Sequence, residues 1–223
     1  MGSFQNTRAR YFYINQGKLN YNAGDQNNPN WQAQENFMGY LTDITFKWQE
    51  AKPEKKLDAY DALHNHLDDG QEKAVLICKF ESGYGRAFAK IIANADLTQQ
   101  IGIQPTYKEE GTQKIAGMMI KQGNDWLKWM WTKDNPGECP PPVKHVIGTK
   151  EIIDYSEQTL FLKNFLLNTI KPKLGTAPAA AHPLMTATSD IQQAADKMAE
   201  TNRGFQPVQS SEDPDGIADD LPF

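Results

Sequence analysis

Cysteine is nearly absent from this 223-residue chain: Cys78 and Cys139 are the two it has. Two thiols cannot staple a fold of this length, and they match no metal-ligand spacing. They read as reduced thiols of a cytoplasmic protein. Apolar residues are also scarce, at 39% with a mean hydropathy of −0.66. Globular chains usually hold about 45–50%, so part of this one is expected to lack a packed core. No apolar run approaches the roughly 18 residues of a membrane-spanning helix. The start, from Met1 to Gln16, lacks the apolar stretch of a secretory signal. Asn6 stands where N-myristoylation needs Ser or Thr. No membrane association is expected.

Basic residues thin out in the last quarter. Residues 172–223 hold 3 Lys+Arg against 8 Asp+Glu, whereas residues 1–171 hold 20 of each. The net charge of −5 therefore sits entirely in the tail. All 5 Trp and all 8 Tyr lie before residue 172. Aromatics carry the largest buriable areas, so a neutral body can fold while the acidic tail cannot offset its chain entropy. The expected division is a folded domain over 1–171, a Pro/Ala-rich flexible linker over 172–211 and an acidic tip over 212–223.

Within the body, short β-rich runs alternate with polar punctuation. Strands are expected at Ala9–Ile14, Leu41–Gln49, Ala74–Phe80, Tyr84–Ala93, Lys114–Lys121 and Trp126–Thr132, the last two joined by a turn at Gln122–Asp125. Ala74–Phe80 reads as a central strand buried on both faces. Helices are expected at Glu54–Leu67, from its 3-4-3 apolar spacing, and at Tyr155–Ile170, which Pro172 stops. Residues 95–105 suit a short helix and residues 134–142 a loop. Several short strands with few helices suggest a mostly β barrel or sandwich.

A binder of single strands needs cations for phosphates and aromatic faces for bases. Alternation on a strand over Tyr84–Ala93 would put Tyr84, Arg86, Phe88 and Lys90 on one face. Over Trp126–Thr132 it groups Trp126 and Lys128 apart from Trp129 and Trp131, and parity alone does not say which set is buried. Arg8 and Arg10 alternate with Tyr11 and Tyr13. Lys47 and Trp48 form a weaker pair. Enzyme signals are poor. His64–Asn65–His66 would diverge on the expected helix, Gly83–Tyr84–Gly85 is a lone Gly-x-Gly, and Cys139 lacks a convincing His partner. No catalytic residue, metal or cofactor is expected.

The last residues carry the sharpest signal. Glu212, Asp213, Asp215, Asp219 and Asp220 come with no base among them and run into Leu221, Pro222 and Phe223. An acidic arm with an apolar tip suits capture by a basic-rimmed pocket. This ending resembles the tip of bacterial and phage single-stranded-DNA-binding proteins, with Leu221 where that family usually has Ile. The resemblance covers about five residues and the tail architecture. It implies an OB-fold-like barrel, here with one or two added helices, followed by a disordered acidic tail. It implies single-stranded DNA as ligand, bound without strong sequence preference. It also implies recruitment of replication, recombination or repair proteins through Asp219–Phe223, in a bacterial cell or phage-infected host. Oligomeric state stays open, since such barrels work as monomers or as homo-oligomers. The alternative is a protein-only adaptor: the same tip on a β-domain that binds protein.

Overall fold

The computed structural model describes residues 9–55, 57–111, 113–148 and 150–174. Arg8, most of the expected linker and the whole tip, Asp219 to Phe223 included, lie outside the described residues. The chain opens with β1 (Arg10–Asn15), β2 (Lys18–Asn22) and β3 (Trp31–Gln34). A long strand follows, β4 (Phe37–Gln49), then β5 (Tyr60–Asp68) and β6 (Lys73–Lys79). Helix α1 (Gly83–Ile92) leads to β7 (Ile101–Glu110), β8 (Gln113–Gln122) and the short β9 (Asp125–Trp126). A separate hairpin, β10 (Val143–Ile147) and β11 (Lys150–Asp154), precedes α2 (Ser156–Phe165). A π-turn at Leu166–Ile170 joins α2 to a last turn, α3 (Lys171–Leu174).

Nine strands make one mixed sheet in the order β3-β2-β1-β6-β5-β4-β7-β8-β9. Its organiser is β4. Residues 37–39 pair with β7, and residues 40–49 pair with β5 on the other side, with a register shift between Leu41 and Asp43. A strand shared end to end staggers its neighbours, and a bulge adds bend; the sheet curls into a half-barrel. The turn between β1 and β2 then meets the far side: the Gly17 N–H donates to the Tyr84 hydroxyl at 2.9 Å. Gly17 has φ +73°, and a Cβ there would sit 2.9 Å from the Tyr107 nitrogen. Both the turn and the close approach require glycine.

The concave side is the core. Phe12, Ile44, Leu63, Leu67 and Leu76 are 0–1% exposed, joined by Phe88, Ile91 and Ile92 of α1. Leu162, Leu166 and Ile170 extend it under the C-terminal helices. As expected, β6 is central, with Ala74, Val75, Leu76 and Cys78 buried. The mostly β class with two helices matches the sequence reading, as do the 155–170 helix, the 122–125 turn and the loop at 134–142.

Five segments differ. The expected strand over Trp126–Thr132 is reduced to Asp125–Trp126, because the chain then turns to α1, where the Met130 N–H donates to the Lys90 carbonyl at 2.9 Å. Residues 54–67 form no helix: a 3-10 turn at Pro53–Lys55 precedes β5. The apolar spacing there fits both periods, and β4 and β6 bond the strand's backbone on both edges. Conversely, residues 84–93 form α1. Tyr84, Ala87, Phe88, Ile91 and Ile92 are its buried stripe, and alanine favours helix strongly. Residues 101–110 are strand β7 rather than part of a short helix. Finally, Pro172 does not stop the last helix, so the folded body reaches Leu174. A π-turn immediately precedes this proline, which has no N–H for an α-ladder.

Candidate nucleic-acid interface

Paired residues in a sheet share a face, so the register assigns the side opposite the core. One row crosses β4, β5, β6 and β1 as Thr45, His64, Ile77 and Tyr13. The next holds Asp43, His66, Val75 and Tyr11. On the other side of the first lie Lys47, Ala62 and Lys79. Strands β2 and β3 continue the face through Lys18, Asn20, Asn22 and Trp31. Alternation in β5 adds Tyr60, and in β6 Lys73.

On β1 to β6 seven rings therefore share one face: Tyr11, Tyr13, Trp31, Tyr40, Tyr60, His64 and His66. Tyr11 is 47% exposed, while Tyr13, Trp31, Tyr60 and His66 are half-buried. Tyr13 and Trp31 meet edge to face at 6.2 Å. The Lys79 ammonium lies 5.6 Å over the Tyr60 ring. Lys18, Lys47, Lys73 and Lys79 are exposed around the rings. Two carboxylates share the face and both are engaged. Asp43 is 3.1 Å from the Lys171 ammonium, and Asp68 accepts the Gly70 N–H at 2.8 Å.

The histidines are held neutral. Burial pushes the His64 imidazole down to about 4, with Lys47 and His66 adding to the effect. Burial likewise lowers His66, helped by Lys47 and Lys171 and opposed by Asp43. His66 Nε2 lies 3.1 Å from the Thr45 hydroxyl. Both ring nitrogens of the buried His64 lack a hydrogen-bond partner among the described residues. The face thus offers flat rings and a fringe of ammonium groups.

Of the residues expected from sequence to bind nucleic acid, Lys47 and Trp126 lie on this face. Trp48 points the other way from β4, beyond the core, and is 58% exposed. Arg10 lies opposite Tyr11 on β1, 2.7 Å from the Glu72 carboxylate and 4.6 Å over the Tyr21 ring. The alternating face of Tyr84, Arg86, Phe88 and Lys90 does not form. On a helix, Tyr84 and Phe88 turn inward, at 8% and 0% exposure, while Arg86 and Lys90 stack one turn apart on another side. Trp126, 50% exposed at β9, lies on the same side of the sheet as Lys47: it pairs with Lys121, which pairs with Gly102 and through it with Met38, two residues from Tyr40. Lys128 follows the strand's end, its carbonyl accepting from the Asn94 amide at 2.9 Å. Trp131 is buried, edge-on to Phe161 and Phe165.

Sequence reasoning missed Trp31, Tyr60, His64, His66 and Lys79 on the sheet face. Read with period 2, Tyr60, His64 and His66 fall on one side, a signal that the helical reading of 54–67 conceals. No family model, curated protein or solved structure matches this chain.

Proposed function

We propose that the chain binds single-stranded DNA across the outer face of its curled sheet. The observation that carries this is the gathering of six partly or fully exposed rings, Tyr11, Tyr13, Trp31, Tyr40, Tyr60 and His66, and four lysines on that face, with the core on the other. Flat rings accept bases of any sequence, and ammonium groups track the phosphates. The reading fits an OB-type barrel. The meander β4–β5–β6, then α1, then the β7–β8 hairpin, with β4 paired on both sides, follows the order of such a five-stranded barrel. Oligonucleotides in that architecture lie on the face of its second and third strands, here β5 and β6. The acidic stretch through Asp219–Phe223 acts, in this reading, as the element that recruits replication, recombination or repair proteins.

The test is a titration of labelled oligo-dT, beside a duplex of equal length, at two salt concentrations. Binding to the single strand alone is expected. Its log affinity should fall with log salt at about −0.7 per phosphate neutralised. Trimming Leu221–Phe223 should leave that affinity unchanged and abolish partner capture. Equal binding to the duplex, or none to either, overturns the reading. The adaptor alternative has one observation in its favour: the β10–β11 hairpin exposes Val143, Val146, Ile152 and Ile153 at 45–65%. It would be preferred if the protein ignores oligo-dT.

A further inference from the structure

A second site shares no residue with the sheet face. A cavity of about 490 Å³ lies between α1, the loop over residues 129–142 and the start of α2. That volume is in the range of small-ligand pockets, roughly 300–1,000 Å³. Three cations line it, Arg86, Lys90 and Lys133, and no Asp or Glu does. Among the described residues none of the three has a carboxylate within salt-bridge distance.

Two of these cations are built in. Arg86 and Lys90 stand four residues apart on α1, so both reach the same side of the helix. The Arg86 guanidinium lies 3.9 Å from the Tyr155 ring centre and donates to the Glu81 carbonyl. The Lys90 ammonium lies 5.1 Å over the Trp129 ring. Burial holds both below their ordinary range, opposed for Arg86 by Tyr155 and Glu81. A guanidinium fixed in its plane by a ring presents a ready fork to a phosphate or carboxylate.

The remaining wall is flat and apolar: Trp131, Pro136, Pro141 and Pro142. One polar side chain is set into it. Gln158 is 5% exposed, and its Nε2 donates to the Pro140 carbonyl at 2.8 Å. Its Oε1 is buried without a partner among the described residues. Gln158 lines the cavity, so a ligand's N–H or O–H is the group that could satisfy this oxygen. An anion alone satisfies the cations but leaves this acceptor and the flat wall unused. A ligand that uses all three is a phosphate attached to a planar ring bearing N–H groups.

We propose that this cavity binds a nucleoside monophosphate, either free or as the phosphorylated end of a strand. The phosphate sits among Arg86, Lys90 and Lys133. The base lies against Trp131 and the prolines and donates to Gln158 Oε1.

The test uses the full chain and follows Trp fluorescence, because Trp129 and Trp131 both line the site. AMP, adenosine and inorganic phosphate are titrated separately. Saturable quenching by AMP is expected, with adenosine and phosphate each at least tenfold weaker. Lys90→Gln and Arg86→Lys should each weaken AMP at least fivefold, with far-ultraviolet circular dichroism reporting retained fold. Gln158→Leu should weaken AMP while leaving any phosphate binding unchanged. Tyr13→Ala, on the sheet face, should leave AMP binding intact, so failure of this site and failure of the DNA reading are told apart. Competition by a 5′-phosphorylated but not a 5′-hydroxyl oligo-dT identifies a strand end as the source; no competition identifies the free nucleotide. The proposal falls if AMP does not bind, or if inorganic phosphate binds as tightly as AMP. It falls equally if an acidic, Phe-containing peptide saturates the site and AMP does not displace it.

Discussion

Replacing Tyr13 and Trp31 by alanine, singly and together, tests the sheet face most directly. Each ring that stacks on a base contributes about 1–3 kcal/mol. At 1.4 kcal/mol per factor of ten, each single variant should bind oligo-dT roughly 5- to 150-fold more weakly. The two rings are not independent. They meet edge to face at 6.2 Å, and such pairs are worth about 0.5–1.5 kcal/mol beyond their area. Loss of either ring loosens the other, so the double variant should lose less than the product of the singles, by a factor of roughly 2 to 13. Tyr13→Phe keeps the ring and should stay within about threefold of the parent. The assay is fluorescence anisotropy of labelled oligo-dT at one fixed salt concentration, with duplex DNA as control. The reasoning is refuted if both alanine variants bind within twofold of the parent. It is refuted more sharply if Trp48→Ala, on the other side of the sheet, is the variant that loses affinity.

Three further outcomes follow from buried groups. His64 titrates near 4 in the fold and near 6.5 in an unfolded chain. The unfolded state therefore binds more protons between those values, and stability should fall as pH drops from about 6.5 to 4, by up to about 3 kcal/mol; His64→Gln should flatten that limb in urea melts. Asn65 is 0% exposed between Ile44 and Leu76, with both amide atoms unpartnered among the described residues; Asn65→Leu should raise stability by about 1–3 kcal/mol, and a lower urea midpoint would contradict it. A Cβ on Gly83 would sit 1.9 Å from the Ala116 carbonyl oxygen; Gly83→Ala should cost about 1–3 kcal/mol, and an unchanged thermal midpoint would show that α1 can shift at no cost.

Composition and alternation made the β class, the central strand at β6 and the 155–170 helix legible, because each rests on a single unambiguous period. The two inverted segments show where that stops. Residues 60–67 carry apolar or ring side chains at most positions on both faces of the strand, so their spacing matched a helix by accident. Tyr84–Ile92 alternates cations with apolar residues, a pattern that fits a strand and equally fits a helix with one wet stripe. The candidate face was half legible: Tyr11, Tyr13 and Lys47 stood out locally. Trp31, Tyr60 and the two histidines joined them only through pairings between strands far apart in sequence, which one chain read linearly does not reveal. The cavity residues Arg86 and Lys90 were noticed for their chemistry but grouped with Tyr84 and Phe88, because a strand sets i and i+2 on one face and a helix does not.

The parallel pairing of β1 with β6 sets Arg10–Tyr13 against Ala74–Ile77, and about sixty residues must be made before the first strand finds its place. Contacts this remote in sequence slow folding, because loop closure precedes any reward. During synthesis β1, β2 and β3 are made before β6 and wait for it, with Tyr11, Tyr13 and Trp31 unplaced. Until they arrive, the edge of β6 is an open template for any other strand. Newly made protein is therefore most prone to aggregate in the interval before β1 is captured.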